Sequence, residues 1–178
     1  MTRRTFVRHA ESSDDLEALR QLCWDYRDFL LSYGEEQRRI TEAFYQRDAY
    51  AALMDNLTEK HARPSGAILL VEDNNGAVQG CGMIQGLGGT NAEIKRVFIR
   101  PEARGAGAGR DLTRALISQA RADGHTLLLL DTSRAFKAAR ALYEAHGFIE
   151  RGPYCPVPAD LIPLLRFYGL DVTKRDGL

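Results

Sequence analysis

The chain has 178 residues, and its 24 lysines and arginines balance its 24 aspartates and glutamates. That length accommodates one domain, 1–178, with a full core. A formal charge of zero argues against a nucleic-acid binder that relies on bulk positive charge, and no apolar run is long enough to span a membrane. Cys23, Cys81 and Cys155 form neither a CxxC pair nor metal-ligand spacing with the four histidines. They read as reduced structural thiols of a cytoplasmic protein, with no metal. The start, MTRRTFVRHAESSDD, lacks the apolar stretch of a secretory signal.

Residues 5–9 predict a short strand. Ser12 and Ser13 followed by Asp14 and Asp15 mark a helix start, with hydroxyl caps and then acids on the helix dipole. Leu16, Leu19, Cys23, Tyr26 and Leu30 then recur at spacings of three and four, one helical face that stops at Gly34. Residues 35–40 are polar and charged. A second helix follows, with Ile40, Phe44, Ala51, Met54 and Leu57 on its face, and ends at the breaker cluster Arg63-Pro64-Ser65-Gly66. Residues 67–72, 78–87 and 92–100 are three strands. The first two are joined by Asp73-Asn74-Asn75-Gly76, a hairpin signal because Asn-Gly tolerates positive φ.

The third of these strands runs into Arg104-Gly105-Ala106-Gly107-Ala108-Gly109-Arg110 and out into an amphipathic helix, 109–122. Small residues let backbone N–H groups approach a ligand, and a helix start adds unpaired donors and a favourable dipole. The stretch reads as a diphosphate cradle. It is neither a P-loop, since no Gly-Lys-Ser/Thr occurs, nor the GxGxxG of a dinucleotide fold. Residues 126–131, TLLLLD, are a strand covered on both faces. A helix over 135–145 ends at His146-Gly147-Phe148. A strand from Phe148, a proline-rich loop over 155–163 and a last strand over 166–172 complete an α/β sheet with helices on its faces.

Two blocks carry a family resemblance. EIKRVFIRPEARGAGAGR, from Glu93 to Arg110, resembles strand 4 and the acetyl-CoA loop of the GCN5-related N-acetyltransferases (GNAT). Leu130-Asp131-Thr132, followed by Ala139 to Phe148 with its LYEAHGF ending, resembles their strand 5 and the helix after it. The resemblance implies a mixed, mostly antiparallel central sheet flanked by helices and splayed between strands 4 and 5. It implies transfer of an acetyl group from acetyl-CoA to a primary amine in a ternary complex.

By that resemblance, Val97, Phe98 and Ile99 pair their backbone with the pantetheine arm. The backbone of Gly105, Ala106, Gly107, Ala108 and Gly109 holds the pyrophosphate, with Arg104 and Arg110 adding charge-assisted bonds. Tyr143 matches the family's general acid, and Glu93 the position where some members carry a general base. On a regular strand Glu93, Lys95, Val97 and Ile99 share one face, opposite Ile94, Arg96 and Phe98. Phe136 stands where many members have a pantetheine-binding asparagine; Ser133, Lys137 or Arg140 would compensate.

The acceptor reads as a small or amino-acid-like amine, bound by residues 33–40, where Glu35, Glu36, Arg38 and Arg39 lie, and by residues 154–163. Two alternatives come from other classes. One is a GNAT toxin acting on aminoacyl-tRNA, against which the neutral charge counts. The other is a non-catalytic acyl-CoA sensor, against which the retained Tyr143 and Glu93 count. An exposed C-terminal strand often pairs in this family, which makes a homodimer an expectation as well.

Overall fold

A computed structural model describes residues 5–105 and 107–174. Seven strands form one sheet: β1 (Thr5–His9), β2 (Ala67–Asp73), β3 (Val78–Gly86), β4 (Asn91–Ile99), β5 (Leu127–Ser133), β6 (Ile149–Arg151) and β7 (Leu165–Asp171). Their order is β1-β2-β3-β4-β5-β7-β6, and only the β4–β5 pair is parallel. The expected fold class is the observed one. The last strand, β7, is interior, flanked by β5 and β6. The sheet edges are β1 and the three-residue β6, so the C-terminal strand offers no free edge for pairing.

Six helices cover the faces: α1 (Ser13–Ser32), α2 (Glu35–Phe44), α3 (Arg47–Asp55), α4 (Leu57–Lys60), α5 (Ala108–Ala122) and α6 (Lys137–Ala145). α1 starts where Ser12 and the acids after it predict. The Ser12 hydroxyl accepts from Asp15 N, and the Asp15 side chain accepts from Ser12 N, a reciprocal cap. Asp15 also takes two bonds from Arg8 at 2.9 and 2.8 Å, which pins α1 to β1 and holds the carboxyl far below its usual range. The single second helix expected from the sequence is three. The chain leaves helical geometry at Tyr45 and Gln46 and again at Asn56, and α2 begins already at Glu35.

The sheet separates two apolar layers. On one side Leu112, Leu116 and Ala120 of α5, all fully buried, pack with Val71, Ile84, Ile94 and Leu128. On the other, Leu19, Leu22 and Cys23 of α1 pack with Tyr50, Leu70, Met83 and Phe98. Each buried leucine contributes about 1.5–3 kcal/mol relative to an exposed one.

Two irregularities in β4 make the site. First, β4 pairs with β5 only at Asn91, Ala92 and Glu93; beyond Glu93 and Leu129 the strands diverge. The edge of β4 from Ile94 to Ile99 that would face β5 is therefore left without a ladder. Second, the β3–β4 register shifts between Cys81 and Met83, where Arg96 sits at φ 50°, the one non-glycine residue at positive φ among those described. The extra residue breaks the alternation. Ile94, Val97 and Ile99 pack toward α5, whereas Phe98 and Arg96 lie with the α1–α3 layer, beside Lys95. The sequence-based face of Glu93, Lys95, Val97 and Ile99 is corrected accordingly.

Candidate active site

The divergence of β4 and β5 opens a cleft of about 820 Å³. Its walls are β4 from Ile94 to Ile99, the glycine turn, the end of β5, α6, and the facing sides of α1 and α2.

At one end lies the turn after β4. Gly105 and Gly107 have φ of 86° and 85°, a region that costs an L side chain. Gly107 is the N-cap of α5, and no side chain caps that helix. Its first N–H groups thus face the turn without a side-chain partner, as an anion site requires. A Cβ on Gly107 would lie 3.2 Å from Arg110 Nη2, so the largely exposed Arg110 folds over the turn. Ala106 lies outside the described residues. Lys95, Arg96, Arg104, Arg110 and Lys137 line the cleft against one carboxylate, Asp131, among the described residues. Lys95 is paired with Glu93; Arg104, Arg110 and Lys137 still give an excess of positive charge that suits a polyphosphate ligand.

Arg104 is turned back along the wall. Its Nε donates to Ile99 O at 2.9 Å, and its guanidinium lies 4.8 Å from the Phe29 ring and 5.9 Å from Phe98. Phe136 completes this aromatic wall, stacked on Phe29 at 6.0 Å and edge-on to Tyr33 at 4.6 Å. Of the residues expected to compensate for it, Ser133 and Lys137 line the cleft. Arg140 is not among the cleft-lining residues; its Nη1 donates to Arg134 O at 3.3 Å and its Nε reaches the Tyr168 hydroxyl at 3.4 Å.

At the other end, Tyr143 of α6 is buried, with its ring against Phe148 at 5.8 Å. It lines the cleft, and its hydroxyl has no hydrogen-bond partner among the described residues. Burial, and then the charge of Asp131, hold its pKa well above the usual phenol value. Asp131 ends the apolar run of β5. It is exposed on the cleft wall yet has protein on its other sides, and this desolvation raises its pKa against the opposing pull of Lys95. Tyr154 reaches it only at 3.4 Å.

Glu93 is elsewhere. It is 5% exposed and does not line the cleft; its Oε1 accepts from Lys95 Nζ at 2.6 Å and from the Tyr154 hydroxyl at 2.7 Å. The structure therefore puts Glu93 and Tyr154 behind the cleft surface, bonded to each other, and puts Lys95 and Asp131 on it. Sequence reasoning assigned no role to Asp131. The available signal was an acid at the carboxyl end of an all-apolar strand, where open α/β sheets place their ligands.

Two of the four charged residues expected to meet the acceptor, Glu36 and Arg39, have structural partners. Glu36 pairs with Arg134, and Arg39 with Asp160 at 2.9 Å, tying α2 to the segments after β5 and β6. The two expected acceptor segments do line the cleft, but through Tyr33, Gln37, Ile40, Cys155 and Val157.

The family model described as "Acetyltransferase (GNAT) family" matches residues 17–148. The chain is 38% identical over 123 residues to an IAA acetyltransferase of Azospirillum brasilense, covering 67% of this chain and 80% of that one. Its fold resembles a GNAT-family acetyltransferase from Staphylococcus aureus, with a TM-score of 0.72 over 95% of this chain and 99% of that one, at 18% identity. It also resembles yncA of Salmonella typhimurium, solved with its cofactor acetyl-CoA, with a TM-score of 0.66 over 98% of both chains at 19% identity. The chain belongs to the acetyltransferase (GNAT) family and is an N-acetyltransferase.

Proposed function

We propose that the protein transfers the acetyl group of acetyl-CoA to the amine of a small molecule within the β4–β5 cleft. The observation that carries this reading is the placement of Asp131 and Tyr143 on one cleft whose other end is the uncapped, glycine-lined start of α5. The turn from Gly105 to Arg110 holds the pyrophosphate, with Arg110 and Lys137 as charged partners. The unladdered edge of β4 gives pantetheine a strand to pair with, which brings the thioester to the centre of the cleft.

An aliphatic amine arrives as ammonium. Asp131 takes its proton, and the partial desolvation that raises its pKa makes this carboxylate a stronger base than a fully solvated aspartate. The neutral nitrogen attacks the thioester carbonyl carbon, the C–S bond breaks with its electron pair going to sulfur, and the surplus proton on the new amide nitrogen passes to that sulfur, leaving a neutral amide and the CoA thiol. Tyr143, like any phenol, keeps its proton at neutral pH, and its hydroxyl hydrogen-bonds the departing thiolate. A phenol held this far above a thiol's pKa of about 8.5 stabilises the thiolate more readily than it protonates it. Glu93 acts from behind, holding Lys95 and Tyr154 in place beside Asp131. Acetyl-CoA-dependent release of thiol on addition of an amine, lost in Asp131→Asn, tests the assignment. Release that is unchanged in that variant would remove Asp131 from the reaction.

A further inference from the structure

Arg96 is the residue that the mechanism leaves unused. It is 8% exposed and lines the cleft, and no carboxylate among the described residues pairs with it. Its Nε and Nη1 are buried without hydrogen-bond partners. Its guanidinium instead lies 5.8 Å from the Tyr45 ring and 5.9 Å from the Tyr50 ring. A guanidinium cannot shed its charge at any physiological pH, so burial leaves a permanent cation whose lost hydration is only partly offset by ring faces. The positive φ at Arg96 is a further cost for a non-glycine residue. That cost places the side chain on the α1–α3 side of β4, away from the face that packs on α5.

The charges on the acceptor side then sort into pairs and remainders. Lys95 is neutralised by Glu93. Arg96 and Asp131 remain, both on the cleft wall with Tyr45, which feels the charges of both. With Arg104, Arg110 and Lys137 assigned to the cofactor, an acceptor end with one unpaired cation and one unpaired anion complements a molecule that carries one of each. One buried guanidinium balances a monoanion; a phosphate dianion would bring a second negative charge into the same apolar surroundings.

We propose that the acceptor is an amino acid, with Arg96 receiving its carboxylate and Asp131 its ammonium group. This rests on the reading of the cleft as an acetyl-transfer site.

The test uses wild-type protein, acetyl-CoA and matched trios: an α-, β- or γ-amino acid, its carboxamide and its decarboxylated amine. Thiol release gives kcat/KM for each. For at least one trio the amino acid should exceed both partners by about a hundredfold or more, because each partner leaves the guanidinium unpaired. Arg96→Gln should bring that ratio to within about threefold, with the loss falling on the amino acid alone. Because a buried residue is being changed, a second measurement stays with the wild type: an amino acid should bind the CoA-loaded protein by calorimetry, and its carboxamide should not. Equal turnover of acids, amides and plain amines would overturn the proposal and leave acetyl transfer standing, as would an undiminished ratio in folded Arg96→Gln. Thiol release with no amine at all would remove the transfer reading, and this proposal with it.

Discussion

Replacing Tyr143 by phenylalanine removes one oxygen and little else. The ring packs against Phe148 and Tyr168, at 5.8 and 6.5 Å between centroids, and a phenyl ring keeps those contacts. The hydroxyl has no protein partner among the described residues, so its loss leaves no buried group unsatisfied. Stability should change by no more than about 0.5 kcal/mol. In the reaction the hydroxyl gives one hydrogen bond to a developing thiolate. A hydrogen bond to a charged group contributes about 1.5–3 kcal/mol, which corresponds to a fall in kcat of about 10- to 150-fold. Because the bond forms mainly in the transition state, the acetyl-CoA dissociation constant should stay within about twofold. Continuous thiol detection gives kcat, calorimetry gives the dissociation constant, and a melting curve gives stability. An unchanged kcat would refute the role. So would an equal loss in binding, which would make Tyr143 a packing residue of the cofactor wall.

Three further predictions follow from particular residues. Protonation of Asp131 should set the acidic limb of the kcat/KM profile above the ordinary carboxylate range, since its pKa is raised by desolvation; Asp131→Asn should lower kcat/KM by about a hundredfold or more and abolish that limb. Gly107→Glu should weaken acetyl-CoA binding by at least about a hundredfold in titrations, because a side chain there meets Arg110 and places a carboxylate where the pyrophosphate belongs; unchanged affinity would sink the cradle. His61 is 3% exposed, and burial pushes its pKa down to about 4 from 6.5. Its contribution is complete above pH 6.5 and is lost as the pH falls toward 4. Denaturant titrations should show about 3 kcal/mol of stability disappearing across that window, and His61→Asn should flatten the slope.

The residues that reveal this fold and those that hide its acceptor site differ in a physical way. Local rules act on neighbours in sequence. The Ser12 cap, the Asn75-Gly76 turn, the glycine-lined start of α5 and the apolar run of β5 are all legible for that reason. The alternation of β4 was misread because a strand's period of two holds only while the ladder is regular. Nothing in Ile94-Lys95-Arg96-Val97 announces the extra residue that turns Arg96 toward α1. Glu93 stands at the strand-4 position where some family members carry a general base, and a position and its acidity are visible in sequence, whereas its engagement by Tyr154, 61 residues away, is not. The charges at Glu36 and Arg39 look like ligands for the same reason, yet their partners, Arg134 and Asp160, come from distant segments. Asp131 is the converse case. One residue among leucines carries little pattern, and it gains meaning only when β5 parts from β4 beside it.

Amine-dependent acetyl transfer in this cleft is the central claim. The direct measurement is thiol release from acetyl-CoA by the wild-type protein against a panel of amines, with buffer and an aminoacylated tRNA as controls. Release should saturate with a small amine and be strongest for those carrying a carboxylate, with acetylated amine formed in equal amount by mass spectrometry. Tight binding of acetyl-CoA with no release above hydrolysis for any small amine would contradict it.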